Sequence, residues 1–115
     1  MTGLLHHRIS LDGAAWECKP SIGMDWLMRR SHMPDTRDVR GWMPATVPGS
    51  AAYDAWQAGE IPNPYFGRNT HTCEWVSQRV WVYRTRFVVP EDLRDRRATL
   101  VFEGVDYEAQ FFLNG

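Results

Sequence analysis

At 115 residues, with 43% apolar and 23% charged side chains and a net charge of −1, the chain has the size of one domain and an ordinary globular balance. That balance excludes disorder, and thirteen basic against fourteen acidic residues leave no clustered basic excess for gripping nucleic-acid phosphates. No apolar run approaches the roughly 18 residues of a membrane-spanning helix, and the opening Met-Thr-Gly-Leu-Leu-His-His-Arg has no apolar stretch long enough for a signal peptide. Neither nucleic acid nor membrane is expected as a partner, and the expected location is the cytoplasm.

Six Trp, four Tyr and five Phe lean the chain towards β structure, because large rings suit pleated, half-buried surfaces. In chain order, residues 7–11 have extended character and Asp12-Gly13 signals a turn. Residues 15–19 read as a short strand. Met24, Leu27 and Met28 have helical spacing, which predicts a short helix starting at Ser21. Residues 32–40 are polar, contain Pro34 and read as a surface loop. After Pro48-Gly49, Ser50 is a suitable cap for a helix over 51–58, with Ala52, Trp56 and Tyr53 inward and Gly59 as its stop. Two prolines and a glycine in residues 61–67 exclude both regular helix and central strand.

From Arg79 to Val89 the pattern has a period of two: Trp81, Tyr83, Thr85, Phe87 and Val89 on one face, Arg84 and Arg86 on the other. A second strand is expected over 97–103, a turn at Gly104-Val105-Asp106, and a third strand over 107–113. Three such strands predict an antiparallel meander, one sheet of a sandwich. The last two residues, Asn114-Gly115, are a strong hairpin-turn dipeptide, so the fold is expected to be unfinished there.

Four segments together resemble a known family. Trp42-Met43-Pro44-Ala45-Thr46-Val47-Pro48-Gly49 is similar to the Trp-x-Pro-Ala-x-Val-Pro-Gly stretch of the sugar-binding-type N-terminal domain of glycoside hydrolase family 2. The run from Ala58 to Asn69, Ala-Gly-Glu-Ile-Pro-Asn-Pro-Tyr-Phe-Gly-Arg-Asn, resembles a segment of its β-mannosidase branch rather than of the β-galactosidase or β-glucuronidase branches. Trp81-Val82-Tyr83-Arg84-Thr85-Arg86-Phe87 resembles a strand of that family. Leu100-Val101-Phe102-Glu103-Gly104-Val105-Asp106, closing in Phe112-Leu113-Asn114-Gly115, resembles one of its hairpins. Single pieces occur by chance; four in the right order and spacing are specific.

The resemblance implies an all-β fold: an incomplete antiparallel β-sandwich of jelly-roll, galactose-binding-like type with one or two short helices. Residues 1–41 would hold N-terminal strands and a variable insert, and residues 42–115 the first part of the sandwich domain. It also implies a non-catalytic part of a retaining hydrolase for terminal β-linked mannose or a related β-glycoside. The middle domain and catalytic barrel of the same chain, and carbohydrate, are the implied partners. The sequence departs from the pattern at Thr70, where many relatives carry Glu after the loop Asn. Residues 21–40 match nothing in it. A later Trp-Asp-Trp-Gly-Pro-Arg-like stretch that shapes the sugar pocket is also absent.

A retaining mechanism needs two carboxyl groups about 5–5.5 Å apart. None of the fourteen acidic residues matches the catalytic motifs of the family. Glu103 and Asp106, Glu91 and Asp92, and Asp54 on an exposed helix face read as surface charges, so no catalytic residue is expected. His71-Thr72-Cys73 lacks a second ligand pair at zinc-finger spacing, and neighbouring His6 and His7 would point to opposite faces of a strand, so no metal and no cofactor are expected. Cys18 and Cys73 read as reduced thiols without a disulfide framework. Tyr65, Phe66, Trp75 and Trp81 are candidates for stacking on sugar, against the plainer role of anchoring loops on the core. Tyr65, Asn69 and Trp75 are the candidate substrate-binding or domain-interface residues. A stand-alone carbohydrate-binding or interaction module is the competing reading, although an open hairpin does not suit a closed module with an aromatic platform.

Overall fold

The computed structural model describes residues 7–105 and 108–115. Asp106 and Tyr107, placed by sequence at a turn and a strand start, lie outside the described residues, as does His6.

The sheet has three antiparallel strands in the order β2-β1-β3: β1 Gly13–Ser21, β2 Met43–Val47 and β3 Val80–Arg84. β1 is central. It pairs Cys18 with Met43 on one side and Cys18 with Tyr83 on the other, so one buried residue fixes both registers. Alternation then puts Trp16 and Cys18 of β1, Met43 and Ala45 of β2, and Trp81 and Tyr83 of β3 on one face. The core forms there: Cys18, Met43, Ala45, Ala55, Ile61 and Val76 are buried, with Trp16, Trp56, Trp75, Trp81 and Tyr83 packed against them. The all-β class therefore holds, with short helices added.

Helix α1, Asp25–Met28, is short as expected but starts at Asp25 rather than at Ser21. Ser21 belongs to β1, and its hydroxyl accepts from the Trp26 backbone N–H at 2.9 Å. Gly23 at φ 53° and Arg30 at φ 56° bracket the turn in left-handed conformation, which α-helix cannot pass through. Helix α2, Ala51–Gln57, follows the sequence closely. Ser50 has extended φ/ψ, and its hydroxyl accepts from the Tyr53 N–H at 3.1 Å. Gly59 takes φ 78° just past the end. Ala52 and Trp56 pack on the core as expected, and Asp54 and Ala55 are buried as well, whereas Tyr53 is exposed and meets Trp56 edge-on at 5.9 Å.

Helix α3, Asn69–Thr72, and a 3-10 helix over Glu74–Gln78 lead into β3. The 3-10 helix buries Val76, whose carbonyl accepts from the Trp81 indole at 2.8 Å.

Beyond β3 the expected meander is not formed among the described residues. The only regular element there is a 3-10 turn over Glu91–Leu93. Residues 97–103 and 108–113 carry strand alternation but pair with no neighbour among the described residues. Phe102 stacks on Phe111 at 3.7 Å, and Phe112 sits 5.8 Å from Trp26 and 4.8 Å from His32. Alternation selects a face; a strand also needs a ladder partner for its backbone N–H and C=O groups. Leu100, Phe102, Phe111 and Leu113 are correspondingly exposed. The radius of gyration of 17.0 Å exceeds the roughly 13 Å of a compact domain of about this size.

Candidate functional site

The loop before α3 is ordered by its own side chains. The Asn63 carboxamide oxygen accepts from the Tyr65 N–H at 3.0 Å, an Asx-type turn. The Asn63 carbonyl accepts from the Asn69 side-chain amide at 3.0 Å and from the Phe66 N–H at 3.2 Å. The Asn69 N–H in turn donates to the Phe66 carbonyl at 3.2 Å, and Gly67 supplies φ 58° at the bend. Asn69 thus ties the far end of the loop to its start, while buried Ile61 anchors it on the core. The result projects two aromatic rings: Tyr65 is 90% exposed and Phe66 74% exposed. Exposed, rigidly held aromatic rings fit an interface or ligand rim and add nothing to the core.

Trp75 lies elsewhere. Its ring stacks on Trp81 at 6.1 Å with 27° between planes, under the Arg79 guanidinium at 5.7 Å. Both indoles are half-buried against the core, so these two rings anchor the 3-10 helix to β3. The structure brings Tyr65 and Asn69 into one loop and places Trp75 in the packing beside β3.

Of the described charged groups read from the sequence as surface, Asp54 is the exception. Its side chain is buried; Oδ1 accepts from the Thr46 N–H at 3.2 Å, and Oδ2 from the Tyr83 hydroxyl at 3.3 Å. Burial raises its pKa, although the hydrogen bonds from Thr46 and Tyr83 act the other way. The neighbouring Cys18 thiol is pushed up to about 12 by burial first and the Asp54 charge second. Tyr83 is also raised, again chiefly by burial. Burial favours the uncharged thiol of Cys18 and the uncharged phenol of Tyr83, which makes the three groups a structural cluster rather than a nucleophile and base. The sequence carried one signal for it: Asp54 is adjacent to Ala55 in a helix whose Ala51 and Ala55 share a face.

A second carboxylate, Asp38, whose side chain is nearly covered, was not singled out by sequence. Burial alone would raise its pKa, but hydrogen bonds from Lys19 and Ser31 and the charges of Lys19 and Arg29 hold it below the usual carboxylate range. Lys19 Nζ lies 2.5 Å from Oδ1 and the Ser31 hydroxyl 2.7 Å from Oδ2. This pair ties the 31–42 loop to β1. His71 and Glu74 approach to 3.5 Å on the surface, and no group of three metal-ligating side chains exists among the described residues. Cys18 and Cys73 are free thiols, as expected.

Residues 22–115 match the glycosyl hydrolase 2 galactose-binding domain-like family. The match takes in residues 22–40, which resembled no motif above. Beta-mannosidase B of Thermothelomyces thermophilus is 32% identical over 95 residues, which are 82% of this chain and 11% of that protein. Beta-mannosidase of Mus musculus is 37% identical over 73 residues, 63% of this chain and 8% of that protein. Beta-mannosidase A of Emericella nidulans is 40% identical over 65 residues, 56% of this chain and 7% of that protein. The chain spans about a tenth of the length of these relatives.

Proposed function

The chain belongs to the glycosyl hydrolase 2 galactose-binding domain-like family, and from that premise we propose that it is a non-catalytic N-terminal domain of a β-mannosidase-like hydrolase. In that setting the intact protein releases terminal β-linked mannose, or a related β-glycoside, with retention, using carboxylates supplied by a catalytic barrel. The observation that carries the reading is the 62–69 loop. It keeps the β-mannosidase-branch sequence, and its Asn63–Asn69 hydrogen bonds hold Tyr65 and Phe66 out of their own core. Rings so held are suited to a neighbouring domain or to the rim of its sugar pocket. The acidic side chains support the non-catalytic part: among the described residues, buried Asp54 and the nearly covered carboxylate of Asp38 are spent on Thr46 and Tyr83 and on Lys19 and Ser31.

The test is hydrolysis of an aryl β-mannoside, with the corresponding β-galactoside and β-glucuronide as controls. The intact protein is expected to turn over the mannoside preferentially, and the 115-residue chain to show no turnover. Measurable turnover by the pure 115-residue chain, or preference for a control substrate, would overturn the reading. Asn69→Ala in the intact protein is expected to lower turnover by loosening the loop; unchanged turnover and unchanged stability together would remove the loop from the site.

A further inference from the structure

Charge is balanced over the whole chain but not locally. Residues 28–37 carry three arginines, Arg29, Arg30 and Arg37, against the single acid Asp35. The fold gathers all four, with Met28 and Thr36, around an open depression of about 350 Å³ at the end of α1. It shares no residue with the 62–69 loop.

The backbone around it is tied from both sides. The Arg29 N–H donates to the Asp25 carbonyl at 2.9 Å, and the Ser31 N–H to the Trp26 carbonyl at 2.8 Å. The Thr36 hydroxyl donates to the Arg29 carbonyl at 3.3 Å and accepts from the Asp38 N–H at 3.1 Å, which joins the helix end to the opposite side of the depression. Arg30 takes φ 56° between them, a left-handed conformation uncommon for a residue with a long side chain. Strain of that kind persists where the surroundings hold it, and it gathers at binding sites. The three guanidiniums differ in their commitments. Arg29 Nε lies 2.7 Å from Asp25 Oδ2, which orients it. Its Nη1 is 4.0 Å from Asp38 Oδ1, but that carboxylate is already taken by Lys19 and Ser31. Arg30 and Arg37 form no ion pair among the described residues, and neither does Asp35.

We propose that this depression is an oxyanion site that takes the phosphate group of a small soluble molecule. Guanidiniums brought to one depression, two of them without a carboxylate, repel one another, and a bound dianion removes that repulsion. The shapes also agree, because the planar fork of paired N–H donors meets two phosphate oxygens at once. A carboxylate ligand would bring one charge to the three cations, whereas a phosphate monoester brings nearly two. The volume is at the lower end of the range usual for small-molecule sites, about 300–1,000 Å³, so a phosphate enters with part of the molecule that carries it. The Thr36 hydroxyl is committed to backbone and leaves the holding to the arginines. Asp35 opposes the anion and weakens its binding, which provides a control of opposite sign. The site is independent of the catalytic reading.

The deciding experiment is calorimetric titration of the intact protein, at fixed ionic strength, with inorganic phosphate and with glycerol phosphate. Cosedimentation with vesicles of phosphatidylcholine and phosphatidic acid separates a lipid headgroup from a soluble ligand. Saturable binding of both soluble phosphates is expected, strengthening for the ester as pH rises through about 6, where its second proton leaves. Arg37→Gln and Arg30→Gly are each expected to weaken binding about tenfold, the value of one hydrogen bond to a charged group. Arg30→Gly also relieves the left-handed backbone, so its unfolding midpoint is expected at or above that of the wild type. Asp35→Asn is expected to tighten binding. No saturable binding of either soluble phosphate, binding to the vesicles alone, or wild-type affinity in both arginine variants overturns the proposal. If Arg37→Gln fails to fold, Arg30→Gly decides: wild-type affinity overturns the proposal. Failure of the intact protein to hydrolyse β-mannosides would count against the catalytic reading only.

Discussion

The Tyr83 hydroxyl donates to Asp54 Oδ2 at 3.3 Å, so the middle of β3 is tied to the middle of α2 by a hydrogen bond spanning 29 residues of sequence. The other oxygen of the same carboxylate accepts from the backbone N–H of Thr46 near the end of β2. One side chain thus connects all three elements that enclose Cys18. Tyr83→Phe removes one donor and leaves Asp54 with its Thr46 bond; a loss of about 1 kcal/mol is expected in urea unfolding. Asp54→Ala strands the Thr46 N–H as well and opens a void, so a larger loss, about 2–3 kcal/mol, is expected. Equal effects of the two substitutions would show that the carboxylate does not join the elements.

Asp54 and Asp38 make stability depend on pH in opposite directions. The folded-state pKa of Asp54 is raised from 3.8, so its contribution is complete below that value and is lost as pH rises through the raised one. The folded-state pKa of Asp38 is lowered from the same 3.8, so its contribution is present above 3.8 and is lost as pH falls through the lowered value. Asp54→Asn, which keeps an acceptor for Thr46, is expected to match or exceed wild-type stability at neutral pH. Asp38→Asn is expected to lose about 1–3 kcal/mol at neutral pH, with the deficit shrinking in acid. Unfolding curves from acid to neutral pH check both slopes.

Ser50 caps α2 with a single side-chain acceptor. Ser50→Ala is expected to cost about 1 kcal/mol and Ser50→Thr much less, read as a shift in the midpoint of thermal unfolding. Gly49 next to it is a steric requirement: a Cβ there would meet the Thr46 carbonyl oxygen. Gly49→Ala is therefore expected to destabilise more than Ser50→Ala, because backbone must move to admit it.

The two thiols should differ sharply in reactivity. Cys18 is fully buried with its pKa pushed up to about 12, whereas Cys73 is half-buried beside the Pro62 carbonyl at 3.7 Å. Only a thiolate attacks a disulfide reagent, so Cys73 is expected to be labelled in the native protein and Cys18 only after unfolding. Labelling followed by mass spectrometry of the peptides checks this; native labelling of Cys18 at the rate of Cys73 would contradict the packing of β1.

The sequence by itself determined what depends on neighbours a few residues away. The Ser50 cap and the Gly59 stop were legible because helix ends are satisfied locally. The irregular 61–67 run followed from its two prolines and glycine, and the Trp81/Tyr83 face from alternation alone. The order of four motifs was enough to indicate the family, and Tyr65 and Asn69 were singled out through it. Trp75 was weighed between sugar and core, and its stacking on Trp81 puts it in the packing. What only the tertiary structure decided are the relations between distant segments. β1 is central because Cys18 pairs with both Met43 and Tyr83, and no local pattern names a strand's partners. Residues 97–103 and 108–113 alternate as strands should but find no ladder among the described residues. Asp54 looked like a surface charge on a short helix until the donors of Thr46 and Tyr83, eight and twenty-nine residues away, closed around it. Periodicity assigns a face, but burial and pairing are set by which other faces arrive, and that is a property of the whole chain.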